Sequence, residues 1–378
     1  MIARQKSLDW PLFAAILLLL GFGIVLVYSS SFALSQHKYG GADFYLARQS
    51  VRALLALACF MICINVDYHK WGRISGIAYL AAIALLAVLL FLPAHHAVNG
   101  ARRWLTFGPV QFQVSDFARM ALILFLARKC EEVKNDLQQP RVFVKLLAMI
   151  GIVCGLVLAE PNFSTAAIVG LIALAMLFIA GARFWHICAL ALAVVPVAVL
   201  LVLRTPYRRA RILGYLDPSL HQNDIGYQTY QSLVGLGNGG LFGVGLGQGE
   251  QKFFYLPEPH TDFIISILGE EIGFIGLCAV LAVFAFIVHR GMRIAANAPD
   301  RMGQVMAFGF TAAVAMYAVV NASVASGLIP TTGVPMPFLS YGGMSLIFTM
   351  CSMGIVLNIS SRSTDRMPSG ALRKGVRQ

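Results

Sequence analysis

Ten apolar runs of about the length that crosses a lipid bilayer dominate this sequence. Charged residues make up only 12% of the chain, too few to cover the surface of a soluble protein. The runs therefore predict an all-α, polytopic membrane protein with about ten transmembrane helices in a single membrane domain, residues 1–378. The same composition excludes a cytosolic enzyme, a nucleic-acid-binding domain and a disordered linker.

The distribution of Lys and Arg predicts how the chain is oriented. With the N-terminus in the cytoplasm, the connections on that side carry twice as many Lys and Arg residues as the connections on the outer side. An even number of spans then places both termini inside, with a cytoplasmic tail over about 360–378. This topology explains the net charge of +12 without a nucleic acid partner.

One long connection, about residues 204–261, lies on the outer side between spans 7 and 8. It is rich in aromatic residues, and eight glycines fall between Gly235 and Gly249. Connections of this length are usually functional or disordered, and this composition favours an ordered loop with tight turns or a re-entrant segment. The glycines follow no strand, lack a G-K-[ST] sequence and face the side without ATP, so we predict no nucleotide site.

Ionisable residues near the membrane are few, and each has a structural and a functional interpretation. Asp262 begins span 8, where it could complement the helix dipole or, beside His260 and Glu258, take a proton from a sugar hydroxyl. Asp116 and Arg119 are spaced i, i+3 at the outer end of span 4 and could neutralise each other.

Two like charges, Arg48 and Arg52, are spaced i, i+4 at the outer end of span 2. Glu160 at the end of span 5, or a lipid diphosphate, would explain them, as would snorkelling to the interface. Glu270 and Glu271 lie deeper in span 8 and need partners or a cavity.

Several motifs, in order along nearly the whole chain, resemble the SEDS family of cell-wall glycosyltransferases, which includes FtsW, RodA and SpoVE. The segments that carry the resemblance are Asp9-Trp10, Gly100-Ala-Arg-Arg-Trp104, Gln113-Val-Ser-Asp116-Phe-Ala-Arg119, Glu160-Pro-Asn162, residues 245–264, residues 269–273 and residues 321–343. The chain departs from the family pattern at Val114, Asp116, Arg119 and Asn162.

The resemblance implies that the chain polymerises lipid II, the undecaprenyl-diphosphate-linked disaccharide peptide, on the outer face of the bacterial cytoplasmic membrane. Its implied partners are a class B penicillin-binding protein and other divisome or elongasome membrane proteins. Asp262 matches the family's essential Asp and would act as general base on the acceptor 4-hydroxyl. Arginines, or a divalent cation such as Mg²⁺ or Mn²⁺ with no assigned ligands, would stabilise the diphosphate.

From these motifs and the outer charges we predict residues that bind the diphosphate or the sugars: Arg48, Arg103, Gln113, Asp116, Arg119, Glu160, Lys252, Glu258, His260 and Ser340. We favour an FtsW-like over a RodA-like protein, because residues 251–260 look more like the former, although residues 321–337 look more like RodA. A lipid II flippase and a non-catalytic scaffold for the penicillin-binding protein are the alternatives. Polar residues at the outer end favour surface chemistry over translocation, and a scaffold would not need Asp262.

Overall fold

The computed structural model describes residues 8–91, 103–107, 110–216, 226–253, 255–257 and 259–362. Glu258 and the tail beyond residue 362 therefore lie outside the described residues. A short 3₁₀ helix (Lys134–Gln138) follows the fourth helix, and β1 (Trp104–Phe107) pairs antiparallel with β2 (Val110–Gln113). The α-helices are α1 (Trp10–Tyr39), α2 (Phe44–Asn65), α3 (Tyr68–Phe91), α4 (Val114–Val133), α5 (Pro140–Ala159), α6 (Phe163–Ile179), α7 (Phe184–Arg204), α8 (Pro206–Leu216), α9 (Tyr227–Gly239), α10 (Ile264–Ala296), α11 (Arg301–Ala325) and α12 (Met344–Ser360).

Each of the ten apolar runs coincides with one helix, which confirms the prediction of a helical, multi-pass membrane protein. Within the described residues, six helices are long and apolar enough to cross a membrane, namely α1, α2, α3, α5, α10 and α11. Shorter apolar stretches of 10–17 residues are α6, α12 and the part Phe184–Pro196 of α7, and α4 has 20 residues with charges near both ends. The number ten thus stays a prediction. Large apolar side chains such as Ile77 and Phe91 are exposed, as expected for surfaces that face lipid.

Contacts between distant parts of the chain identify which helix termini share one end of the bundle. Asp9 caps α1 by accepting the Leu12 N–H at 3.0 Å, and its carboxylate also pairs with Arg290 near the end of α10 at 2.7 Å. The Asp9 N–H donates to the Ser360 hydroxyl at 3.3 Å. The first and last helices therefore begin and end at the same end of the bundle, as an even number of spans requires. We call the opposite end, which holds Asp262, the outer end.

Two features were not predicted from sequence. The β1–β2 hairpin precedes α4, so the fold is not purely helical. Aromatic and β-branched residues, which favour strands, flank the Gly108-Pro109 pair in the sequence of this hairpin. The long connection also contains two helices, α8 and α9. Helix α9 packs on the first half of α10, where the hydroxyls of Ser232 and Ser266 hydrogen-bond to each other and Ser232 reaches the Ala325 carbonyl at 2.6 Å.

Helix α10 is interrupted at Gly273, whose φ of 68° and ψ of −174° are not helical. The segment after α9 replaces the missing helical hydrogen bonds. The carbonyls of Gly240 and Leu241 accept the N–H groups of Phe274 and Ile275 at 2.9 and 3.1 Å. In return, the N–H groups of residues 244 and 245 donate to the carbonyls of residues 270 and 271, both at 3.0 Å. Backbone groups of this segment and of α10 therefore satisfy each other, and a re-entrant path stays a prediction.

Close approach explains one glycine of the run. Gly243 has a φ of 82°, and a Cβ atom there would collide with the backbone carbonyl of Glu271. This glycine of the run therefore serves backbone packing against α10.

Candidate active site

Three consecutive carbonyls hold the segment that ends at Asp262. The carbonyl of His260 accepts the N–H of Tyr341 at 2.7 Å, and that of Thr261 accepts the hydroxyl of Ser340 at 2.6 Å. The carbonyl of Asp262 accepts one N–H of the Asn321 amide at 2.8 Å. The 260–262 segment is thus fixed to the end of α11 and to the connection that precedes α12.

Asn321 is the residue that joins these two parts of the chain. Its amide nitrogen also donates to the carbonyl of Val334 at 2.7 Å, and its side chain is only 1% exposed. Asn321 was noted only as the start of a motif and was not predicted as a site residue. A polar side chain within an apolar span was the available signal.

Asp262 lies directly before α10, at the boundary between the long connection and the bundle. Its carboxylate faces Gly333, where a Cβ would lie 3.5 Å from Oδ2. Gly333 has a φ of 70°, which favours glycine and keeps this approach open. Asp262 is half-buried, whereas His260 beside it is buried against the rings of Tyr45 and Tyr341 at 5.0 and 5.4 Å.

Ser340 and His260 were predicted to bind substrate, and the structure places both at the Asp262 segment. The hydroxyl of Ser340 accepts the N–H of Met336 at 2.8 Å in addition to its bond with Thr261. With the side chain 4% exposed, this arrangement favours a positioning role.

Lys252, another predicted substrate ligand, anchors the long connection inside the bundle. Its ammonium group lies 2.7 Å from the Glu271 carboxylate, which also accepts the hydroxyl of Ser29. Lys252 and Glu271 are 3% and 1% exposed. The neighbouring Glu270 accepts the backbone N–H groups of residues 250 and 251 at 3.0 and 3.2 Å. The two glutamates of span 8 therefore have the partners that their position requires.

The predicted residues of span 4 form a self-contained cluster. Arg119 Nη2 lies 3.6 Å from Asp116 Oδ1, and both side chains are buried. The guanidinium also stacks 4.3 Å from the centre of the Tyr317 ring. Gln113, at the end of β2, donates to the Ser115 hydroxyl at 3.2 Å. This geometry favours mutual neutralisation of the pair over direct substrate contact.

Glu160 lies in the turn between α5 and α6, outside both helices, and no ion pair among the described residues joins it to Arg48 or Arg52. Burial raises the pKa of Glu160 to about 8, and the charge of Arg103 acts in the opposite direction. Arg103 itself donates to the Pro161 carbonyl at 2.6 Å. Arg48 is exposed on α2, 4.3 Å from the centre of the Phe44 ring.

No group of three or more His, Cys, Asp or Glu side chains in the described part of the chain lies close enough together to hold a metal ion. Mg²⁺ is commonly held by one or two carboxylates together with substrate phosphates, so a cation that binds with the diphosphate stays an expectation.

The FtsW/RodA/SpoVE family, described as cell cycle proteins, matches residues 10–365. The chain belongs to this family. The match covers the helical bundle and every described residue of the predicted site.

Relatives of this family member extend along almost the whole chain. A probable peptidoglycan glycosyltransferase FtsW of Geobacter sp. (strain M18) is 39% identical over 95% of this chain and 98% of its own length. Stage V sporulation protein E of Bacillus subtilis is 39% identical over 96% of this chain and 100% of its own length.

Solved structures share the fold of this family member. One is a chain of a peptidoglycan synthase complex that coordinates polymerization and crosslinking, with a TM-score of 0.78 and 28% identity. Another is the rod shape determining protein RodA of Thermus thermophilus, with a TM-score of 0.70 and 26% identity. In both cases, 94% of this chain and 98% of the other chain are covered.

Replacing Asn321 by Ala is expected to lower the turnover rate of the enzyme by about tenfold to a hundredfold. The change removes the amide N–H groups that donate to the carbonyls of Asp262 and Val334, so the Asp262 segment is no longer held in place. A small displacement of a reacting group lowers the rate strongly. Initial rates measured against substrate concentration would show the loss in kcat with KM nearly unchanged.

Asn358→Ala is the matched control for this variant. Asn358 is also buried and also makes two backbone bonds, to Ile64 at 2.7 Å and Tyr68 at 3.0 Å, but at the opposite end of the bundle. It should lower the melting temperature similarly without the loss in kcat. Equal kcat values for the two variants would contradict a positioning role for Asn321.

Proposed function

We propose that this chain is a peptidoglycan glycosyltransferase that polymerises lipid II into glycan strands at the outer face of the bacterial cytoplasmic membrane. The observation that carries the proposal is the position of Asp262, a carboxylate at the membrane boundary whose segment is fixed by three backbone-directed hydrogen bonds. Relatives at 39% identity that bear the name of this activity support it.

Asp262 would act as the general base. Its carboxylate accepts the proton of the acceptor GlcNAc 4-hydroxyl while that oxygen attacks the anomeric carbon of the donor sugar. The bond between that carbon and the diphosphate breaks, and undecaprenyl diphosphate leaves with the electron pair. Attack from the side opposite the leaving group inverts the configuration at this carbon.

Cations at the outer end would stabilise the negative charge that develops on the leaving diphosphate. Arg48 is exposed on α2, whereas the other predicted ligands within the described residues are buried or half-buried, so it is open to a substrate arriving from the membrane. Fixed positive charges of this kind lower the barrier because they need no reorganisation during the reaction.

The partner proposed for this enzyme is a class B penicillin-binding protein, which would crosslink the peptides of the new strands. The structural similarity to a chain of a peptidoglycan synthase complex supports an assembly of this kind. We also propose an FtsW-like role in cell division, supported by the FtsW relatives.

Polymerisation of lipid II by the purified full-length chain tests the function. The chain would be reconstituted in liposomes, alone and with its penicillin-binding protein, and supplied with labelled lipid II. We expect a ladder of glycan products on a gel. Transfer of lipid II across the bilayer without a ladder would instead establish the flippase, and absence of both from a folded, partner-bound chain would favour the scaffold.

A further inference from the structure

The two arginines of α2 have different surroundings. Arg48 is exposed, as expected for a side chain that reaches the interface. Arg52 lies one turn deeper, about 12 Å from the start of the helix, on the face that points into the bundle. Tyr45, Gln49 and Ala53 share this face and are 8%, 1% and 4% exposed. Arg52 is half-buried and its Nη1 atom is buried, so this side chain, unlike Arg48, does not extend freely to the interface.

Arg52 packs against the connection before α12. Its guanidinium lies 4.7 Å from the centre of the Tyr341 ring. Its Nε atom lies 3.4 Å from where a Cβ on Gly343 would stand. These two contacts fix the position of the charge without neutralising it, because an aromatic face only weakly offsets a full positive charge.

Hydrogen-bonding groups at this place lack partners. The Nη1 atom of Arg52 is buried and makes no hydrogen bond within the described residues, nor does an ion pair there include this side chain. The neighbouring Gln49 is 1% exposed, and its Oε1 atom, an acceptor, also has no partner in the described part of the chain. An anionic ligand can accept only from the guanidinium, so the buried Nη1 donor, which is costly to leave unsatisfied, is the group that points to such a ligand.

The chemistry of this place suits a phosphate group. A guanidinium presents several N–H donors in a plane that matches two phosphate oxygens. Gly343 is also the N-cap of α12 and has no side chain to cap it, so the positive end of the α12 dipole points to the same region.

This place is connected to the proposed base through packed rings. The Tyr341 ring makes edge-to-face contacts with His260 at 5.4 Å and Tyr45 at 5.1 Å, and its backbone N–H donates to the His260 carbonyl. His260 is two residues before Asp262. A ligand bound to Arg52 would therefore influence, through Tyr341 and His260, the position of the segment that carries the Asp262 carboxylate.

We propose that Arg52 binds a phosphate group of a lipid at the outer end of the bundle, and that this group is the diphosphate of a polyprenyl-linked sugar. The second part rests on the proposed glycosyltransferase function. Of the explanations that the sequence left open for Arg52, this one becomes a specific substrate-binding role. A bulk phospholipid headgroup carries related chemistry, and the test separates the two sources.

Binding of undecaprenyl diphosphate to the full-length chain tests the proposal without turnover. The chain would be placed in phosphatidylcholine nanodiscs, and the affinity measured by fluorescence with a labelled lipid. Arg52→Gln should weaken binding by about tenfold to a hundredfold, because a charge-assisted bidentate contact is lost. Arg52→Lys should lose less, because it keeps the charge but not the planar pair of donors.

Lys38→Gln is the matched control, since Lys38 is an exposed cation beside the Tyr39 ring at the same end of the bundle. It should bind as the wild type does. Unchanged affinity in a folded Arg52→Gln variant, or an equal loss in Lys38→Gln, would overturn the proposal. If Arg52→Gln does not fold, the same comparison is made with Arg52→Lys, whose full wild-type affinity would overturn it as well.

Competition with phosphatidylglycerol separates the two sources of phosphate. If the diphosphate is the ligand, a large excess of phosphatidylglycerol in the nanodisc leaves binding nearly unchanged. If phosphatidylglycerol displaces the probe from the wild type at equal concentration, the assignment to the substrate diphosphate is wrong.

Kinetic measurements distinguish a failure of this inference from a failure of the proposed function. In a chain that polymerises lipid II, Arg52→Gln should raise KM with a smaller change in kcat, whereas an unchanged KM leaves the function standing and removes the role of Arg52. A chain that binds undecaprenyl diphosphate through Arg52 but forms no glycan would contradict the proposed function and the substrate assignment together, while leaving a lipid phosphate site.

Discussion

Replacing Asp262 by Asn is expected to lower the rate of lipid II polymerisation by about a hundredfold to ten-thousandfold, the usual contribution of a general base. Asn has nearly the same shape but accepts a proton poorly. The hydrogen bond from Asn321 goes to the main-chain oxygen of residue 262, so it survives the change. The fold should therefore be kept while the chemistry is lost. Initial rates of glycan formation, with the partner protein present, measure the effect.

A second carboxylate at the outer end provides the control for this variant. Asp43 is exposed in the connection between α1 and α2, and Asp43→Asn should polymerise lipid II at close to the wild-type rate. Melting curves of both variants would establish that they are folded. A folded Asp262→Asn variant that forms glycan at the wild-type rate would remove Asp262 as the base while leaving the transferase activity in place.

Replacing Lys252 by Met is expected to destabilise the protein by about 3–5 kcal/mol, because it leaves the carboxylate of Glu271 buried without its counter-charge. The remaining partner, the Ser29 hydroxyl, cannot neutralise that charge. Replacing both charges, with Lys252→Met and Glu271→Gln together, should recover much of the loss. Unfolding followed by denaturant titration in detergent measures both variants.

An exposed pair offers the comparison. Lys129 and Glu132 are 2.6 Å apart near the end of α4, with 31% and 41% of their side chains exposed, and Lys129→Met should cost less than about 1 kcal/mol. If Lys252→Met costs no more than Lys129→Met, the anchoring role is wrong. If the double variant is stable but has a raised KM for lipid II, Lys252 contacts substrate as the sequence predicted.

Apolar length and charge pattern were sufficient to predict the helices of this fold, because a segment in lipid must satisfy its own backbone groups. Each predicted span coincides with a helix. The β1–β2 hairpin escaped prediction because its four-residue strands are too short to show a clear period. Helix α9 escaped because its glycines weaken a helical pattern that packing against α10 restores.

The site was only partly predictable, since a motif shows which residue types recur but not which way a side chain turns. Asp262, His260 and Ser340 do lie together. Lys252 and Asp116, however, engage internal partners that lie in α10 or in α4 itself. Those pairings depend on how helices far apart in sequence meet. Asn321 and the inward turn of Arg52 depend on the same tertiary contacts.

Because α10 is interrupted at Gly273, residues 226–296 should be exchanged between family members only as one block. Four backbone bonds join the segment after α9 to the two halves of this helix, so neither half is complete without that segment. A hybrid of two family members that takes the long connection from one and α10 from the other would combine a segment and a helix whose shapes did not evolve to form these bonds. Transplanting the whole block preserves those bonds. Differences in specificity among relatives are therefore expected to be inherited with the loop and the helix together.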